Sequence, residues 1–378
     1  MKIPITKPLV GPEEEAAVLE VLRSGWLVQG PKVEEFEHIV ASYVGAQYAV
    51  ATSSCTTALH LALILHEIGP GDEVIVPSFT FIATANAVRH AGAIPVFVDI
   101  DSHTFNISPD CIEAAITPRT RAIMPVHQIG LAADIDRINT IARRHDLVVI
   151  EDAAPAIGAT YKDRKVGGLG NTTCFSFHPR KAITSGEGGM ILTDEENLVE
   201  RARLLRAHGM SLSDLTRHHA KNVVIEEYHD IGYNYRMSDL HAAVGIEQMK
   251  KLNFILTRRK AIAEQYDAAL SDVPGVQLPF SSQETPHTYQ SYMIRLLPQA
   301  VKTREQVMQE LLEVGIATRR GVMAIHLEPA YAAYRPLHQR LPVTENAAQT
   351  TLLLPMYASM NETEQAYVIR HLREVLRS

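Results

Sequence analysis

Residues 48–98 read YAVATSSCTTALHLALILHEIGPGDEVIVPSFTFIATANAVRHAGAIPVFV. Three short apolar runs, Tyr48–Ala51, Glu73–Val76 and Pro95–Val98, read as strands. The stretches between them, Thr56–His66 and Thr80–His90, carry apolar residues at helical spacing. Short apolar strands joined by helical crossovers predict βαβ units, with parallel strands buried on both faces. Downstream the same rhythm continues: helix Pro109–Ala115, strand Ala122–Val126, helix Ala133–His145, strand Leu147–Ile150. Upstream, Pro12 suits a first helical turn and Glu13 to Glu15 favour its positive end. That helix stops near Ser24-Gly25, and a second runs from about Val33 to Tyr43 after the loop 25–31.

Beyond residue 150 the rhythm breaks. Thr173–Phe177 and Met190–Leu192 are strands joined by a Gly-rich loop too short for a helical crossover, which predicts one antiparallel member of the sheet. Helices follow at about Asn197–Ala207, Ser238–Lys250 and Phe254–Ser271. The remainder reads strand Ser291–Leu296, helix Arg304–Val314, a short extended piece and helix Glu362–Leu376. We therefore expect a large α/β domain over 1–250 and a smaller α+β domain over 251–378.

The 378 residues are 46% hydrophobic and 21% charged, enough apolar content to bury a large core. Lys plus Arg number 36 and Asp plus Glu 43, and this acidic balance argues against a nucleic-acid binder. Cys55, Cys111 and Cys174 are widely spaced, so neither a disulfide framework nor a thiolate metal site is expected. Among 17 histidines, pairs such as His218-His219 arise by chance, and we expect no metal. No apolar run is long enough for a membrane span, and no signal peptide is evident, so the expected location is cytoplasmic.

Ligands of open α/β sheets sit at the carboxyl ends of strands. Four such places carry polar or aromatic residues. Thr52 to Thr57 reads either as a phosphate cradle at a helix N-terminus or as an ordinary Ser/Thr cap. Glu151-Asp152 reads as a helix cap, a metal ligand or the partner of a cationic ligand. Lys181 reads as an amine for Schiff-base chemistry or as a turn lysine on the surface. Phe79-Thr80-Phe81 offers an aromatic for a planar ligand or for the core. Taken together, a phosphate cradle, a flat aromatic, a carboxylate and a lysine match the requirements of pyridoxal phosphate.

Six segments resemble the sugar aminotransferases of the DegT/DnrJ/EryC1/StrS family: SGWLVQGP (24–31), SSCTTALHLAL (53–63), VPSFTFIATANAV (76–88), EDAAPAIGA (151–159), FSFHPRKAITSGEGGM (175–190) and GYNYRMSDLHAA (232–243). The resemblance implies the fold type I architecture: a mixed, mostly parallel seven-stranded sheet domain and a smaller α+β C-terminal domain. It implies that Lys181 holds pyridoxal 5′-phosphate as a covalent imine and serves as acid and base. Asp152 would pair with the pyridinium and Phe81 would stack on the ring. Thr56, Thr57 and Ser176 would hold the phosphate. Asn234 would join them from the neighbouring subunit of a homodimer with shared sites. The implied substrates are L-glutamate and a nucleotide-diphosphate keto-sugar. The HPRK and GEGG segments resemble enzymes acting at C4 more than those acting at C3.

Three positions depart from the family pattern. Pro155 stands where Gln or His is common, Arg180 and Ala182 flank the lysine in place of Thr and Asn, and Gly321 replaces a histidine. His326 remains, with Arg319 and Arg320 beside the gap. These two read as ligands for a diphosphate or a donor carboxylate, or as solvated surface residues. Trp26 reads as a substrate contact or as packing. The alternatives within the family are a dehydratase, which characteristically has histidine in place of Lys181, and a non-catalytic regulatory member.

Overall fold

The computed structural model describes residues 1–212, 217, 222–334 and 340–377. Its centre is a seven-stranded sheet formed by β1 (Tyr48–Thr52), β2 (Glu73–Pro77), β3 (Ile94–Val98), β4 (Thr120–Ile123), β5 (Val148–Asp152), β8 (Thr172–Ser176) and β9 (Gly189–Thr193). The order is β1-β9-β8-β5-β4-β2-β3, and only β9 runs antiparallel to its neighbours. The expected antiparallel member is therefore this strand. A hairpin of β6 (Thr160–Tyr161) and β7 (Arg164–Lys165) stands apart.

The central strands are apolar on both faces because helices cover both, and every residue of β2, β8 and β9 is buried. One face packs α2 (Pro31–Val44), α6 (Ile135–His145) and the first part of α8 (Asp239–Leu270) around Phe36, Ile138, Phe175 and Ile246. The other packs α3 (Cys55–Leu65), α4 (Ala83–His90) and α7 (Glu196–Leu205) around Leu59, Val76, Val88 and Leu205. Helices α1 (Pro12–Ser24) and α5 (Pro109–Ala115) complete this part.

Two helices expected on either side of residue 250 are one. Helix α8 runs unbroken for 32 residues, about 48 Å at 1.5 Å per residue. Lys251-Leu252-Asn253 contains no Gly or Pro to stop it. Leu252 is buried in the large core, and Lys251 bonds Glu13 and Glu14 of α1. The distal half of the same helix, from Ile262 to Leu270, belongs to a second core with Tyr292, Leu311, Leu352 and Leu372.

That second core lies under a four-stranded antiparallel sheet, β10-β11-β13-β12 (Val276–Gln277, Tyr292–Leu296, Thr351–Leu354, Arg319–Arg320), with α9 (Arg304–Glu313), α10 (Pro342–Thr350) and α11 (Glu362–Arg377). The piece read as extended from the sequence contains the helix α10 and the strand β13. Ile3 is also in this core: its N–H donates to Gly315 O at 2.9 Å, and its carbonyl accepts from Ala317 N at 2.9 Å. Gly315 has φ +81°, and a Cβ there would strike the Met1 carbonyl, so both conformation and contact require glycine.

Candidate active site

The site grows from the carboxyl ends of neighbouring strands. Gly189 pairs with Thr52 on one side and Ser176 on the other, and Cys174 pairs with Asp152. A Cβ at Gly189 would collide with the Ser54 carbonyl and Cys55 N, so its absence lets the first turn of α3 lie directly on β9.

That turn is closed by a capping box. Ser54 N donates to Thr57 Oγ1 at 3.0 Å, and Thr57 N donates to Ser54 Oγ at 3.2 Å. The Thr57 hydroxyl proton goes to Ser54 O at 2.7 Å. Thr57 thus caps the helix in this structure, where the phosphate role expected of it is not seen. The N–H groups of Cys55 and Thr56 find no acceptor among the described residues, and they stand at the positive end of α3 with the Thr56 hydroxyl.

Asp152 and Glu151 are separated by strand alternation. Glu151 points to the closed face, where its Oε2 accepts from His127 Nε2 at 2.8 Å and its Oε1 from Asn171 at 2.7 Å. His127 Nδ1 accepts from Ala133 N at 3.1 Å, which puts the ring proton on Nε2. Asp152, 4% exposed, lines a cavity of about 230 Å³. Thr84 donates to its Oδ2 at 2.7 Å and Ala154 N to its Oδ1 at 3.1 Å. Thr80 donates in turn to Thr84 at 3.1 Å. Burial pushes the Asp152 carboxyl up, while these two hydrogen bonds and the positive charge of Lys181 pull it back.

Lys181 lines the same cavity. Its N–H donates to His178 O at 2.8 Å, fixing the turn that leaves β8, while its Nζ forms no hydrogen bond or ion pair with a described residue. Burial lowers the pKa of its ammonium and the like charge of Arg180 adds to this, against the opposing pull of Cys55 and Asp152. Phe79 and Phe81 resolve in opposite directions. Phe79 is fully buried, and Phe81 stands 63% exposed at the cavity.

Arg319 and Arg320 reach the cavity from β12, and Gly321 lies beside them. A Cβ at Gly321 would collide with Thr351 Oγ1, so the position is held close to β13. The expectation that His326 meets substrate is corrected. It is 1% exposed, its Nδ1 bonds Ser78 Oγ at 2.6 Å, its Nε2 lies 3.4 Å from Glu345, and it fastens the 325–327 turn to the end of β2. Trp26 does not line the cavity either. Its indole N–H donates to Gln29 O at 3.2 Å and its ring covers Gly30, a packing role. Ser176 is buried at the end of β8, with His178 N 3.4 Å from its hydroxyl. Asn234 is exposed, outside this cavity, in a segment that bonds Ser53 N through Tyr235 O at 2.7 Å.

Sequence reasoning missed Thr84, Gln128 and Gln290. Thr84 had a signal, standing four residues after Thr80 in a stretch read as helical from the sequence; Gln290 had none, since a fold contact brings it to the cavity. Among the described residues no group of three or more His, Cys, Asp or Glu could hold a metal ion, and no helix is long and apolar enough to cross a membrane. His218 and His219 lie outside the described residues.

The donor set fits pyridoxal phosphate: free N–H groups and hydroxyls for a phosphate, an exposed ring, a buried carboxylate and an unpaired amine. A sequence profile of the DegT/DnrJ/EryC1/StrS aminotransferase family matches residues 8–373. The spore coat polysaccharide biosynthesis protein SpsC of Bacillus subtilis (strain 168) is 42% identical over 378 residues, covering 99% of this chain and 97% of that protein. The crystal structure of S. venezuelae DesV in complex with a ketimine intermediate superposes with a TM-score of 0.90 at 34% identity, covering 100% of this chain and 99% of that one. The PLP form of Spr1654 from Streptococcus pneumoniae superposes with a TM-score of 0.92 at 28% identity, covering 100% and 99%.

Proposed function

The chain belongs to the DegT/DnrJ/EryC1/StrS aminotransferase family, a family of pyridoxal-phosphate-dependent sugar aminotransferases, and from that premise we propose that it moves the amino group of L-glutamate onto a nucleotide-diphosphate-linked keto-sugar. The 4-keto-6-deoxy class is our choice of acceptor, and the product an amino sugar for a surface polysaccharide, as the name of SpsC supports. The observation that carries this reading is the cavity shared by Lys181 and Asp152, with Phe81 exposed to it.

Pyridoxal phosphate supplies an aldehyde that exchanges amino groups and a ring that withdraws electrons. Lys181 Nζ would carry it, and Asp152 would hold the pyridine-nitrogen proton, a cation that compensates the cost of burying this carboxylate. The N–H groups of Cys55 and Thr56, with the hydroxyls of Thr56 and Ser176, would hold the phosphate. Phe81 would cover the ring. Lys181 Nζ, released from its proton more readily than an ordinary lysine, moves the proton to and from the α-carbon of the bound amino donor.

The exposed apolar residues Val223, Ile225, Tyr228 and Ile231 near Asn234 support a homodimer in which Asn234 of the partner subunit completes each site. Mixing Lys181→Ala with Asn234→Asp, each inactive alone, tests this. Mixed dimers then carry one intact site and recover activity. No recovery despite verified subunit exchange makes Asn234 a residue of its own chain's site. For the reaction itself, the pure protein is incubated with glutamate and a panel of nucleotide-linked 4-keto and 3-keto sugars and products are read by mass. An amino sugar from a 4-keto substrate is expected. A product that has lost water without gaining nitrogen would make the protein a dehydratase.

A further inference from the structure

The cavity is electrostatically lopsided. Arg180, Lys181, Arg319 and Arg320 line it with a single acid, Asp152. Lys181 and Asp152 are assigned to the cofactor, and Arg320 is paired with Glu328 at 3.2 Å. Arg180 and Arg319 remain, and neither has an acidic partner among the described residues. They are close enough to press on each other: burial lowers the pKa of Arg319, and the like charges of Arg180 and Arg320 lower it further. Both side chains are exposed, so each guanidinium is solvated and open to an anion that enters the cavity.

Arg180 is also held in place. Gln290 Nε2 donates to the Arg180 carbonyl at 2.6 Å. Gln290 is itself fixed, its N–H donating to Ile129 O at 3.0 Å and its carbonyl accepting from the buried Arg259 at 2.8 Å. The peptide joining Arg180 to Lys181 is therefore pinned between the two domains. Arg180 belongs to the large domain and Arg319 to the sheet of the small one, so an anion touching both spans the cleft.

Chemistry selects which anion. An amino donor carries a carboxylate one bond from the carbon whose amine must reach Lys181. A nucleotide sugar carries its diphosphate on the far side of a sugar ring from the reacting carbonyl. A guanidinium on the residue next to the reactive lysine suits the first. Resting on the transamination proposed above, we propose that Arg180 and Arg319 form a two-domain carboxylate clamp that selects a dicarboxylic amino donor. Two guanidiniums satisfy two carboxylates, whereas a monocarboxylic donor such as alanine leaves one unpaired.

The test uses cofactor-loaded enzyme and two readouts. Calorimetry measures binding of glutarate, a dicarboxylate with no amine, and separately of dTDP and UDP. Steady-state kinetics gives KM for glutamate and alanine. Arg180→Gln is expected to weaken glutarate and raise the glutamate KM roughly 10- to 100-fold, the worth of charge-assisted hydrogen bonds. It should leave nucleoside diphosphate binding unchanged and shrink the preference for glutamate over alanine. Arg180→Lys, which keeps the charge and loses the fork, should recover part of the loss. An unchanged glutarate affinity in Arg180→Gln overturns the clamp, as does a loss confined to nucleoside diphosphates or a wild type that does not bind glutarate. A wild type that binds glutarate through Arg180 but does not consume glutamate preserves the clamp and removes the donor from the proposed reaction.

Discussion

Two hollows of the protein differ in what they leave unsatisfied, and the proposed chemistry is assigned to the smaller of the two. The larger, about 670 Å³, opens between the 101–110 loop and residues 280–285 and is lined by Asp110, Asp134, Asp136, Arg137 and Lys162. Five of its charged groups are already partnered: Arg137 with Asp110 at 2.5 Å, Lys162 with Asp136 at 2.7 Å, and Asp134 with the Tyr161 hydroxyl at 2.8 Å. The cavity of about 230 Å³ at the strand ends has free guanidiniums, a free amine and an exposed phenyl ring. The lysines of the two hollows are shifted in opposite directions. Asp136 raises the pKa of the Lys162 ammonium, while burial lowers that of Lys181. Unsatisfied groups, not volume, mark the place built to receive something else.

The comparison breaks first at Lys181. Lys181→Ala should remove the visible absorption of the bound cofactor and reduce turnover to background, both measured on purified protein. A variant that keeps the band and full turnover would falsify the assignment. Next is Asp152→Asn, which should still bind cofactor but lose on the order of 10³-fold in kcat, about 4 kcal/mol of barrier. Near-normal turnover would hand the ring proton to another group.

The third contrast is one of pH. Burial disfavours the charged form and lowers the pKa of the Lys181 ammonium, while the hydrogen bond to Asp136 raises that of Lys162. Reductive labelling of cofactor-free protein with a small aldehyde, mapped by peptide mass, should therefore modify Lys181 at lower pH than Lys162. The reverse order would undo the electrostatic reading of both sites. The smallest effect belongs to the larger hollow. Arg137→Gln breaks an exposed ion pair worth about 0–1 kcal/mol, so melting temperature, KM and kcat should stay close to wild type. A large rise in KM there would make that hollow a substrate site.

The alternation around the seven-stranded sheet was legible because strands buried on both faces must be apolar throughout, and their helices carry the 3.6-residue period. The lysine segment was legible because all sixteen residues of its resemblance to the family, 175–190, are contiguous in sequence. What tertiary contact decides was not. Between Ser238 and Ser271 the absence of Gly or Pro at 251–253 permits one helix, and burial of Leu252 with the ion pairs of Lys251 secures it. The fate of His326 depends on Ser78, far away in the chain. Phe79 and Phe81 are chemically alike and two residues apart, and only the packing of Phe105 and Ile129 around the first separates them.

The placing of Ile3 has a bearing on how the chain is made. Its backbone partners are Gly315 and Ala317, and its side chain fills a core whose other walls come from the last third of the sequence. During synthesis it leaves the ribosome long before those walls exist. The sheet over 48–193 can assemble around its own helices meanwhile, with the segment carrying Ile3 left waiting. Closure of this second core is then a late event that joins segments made early and late.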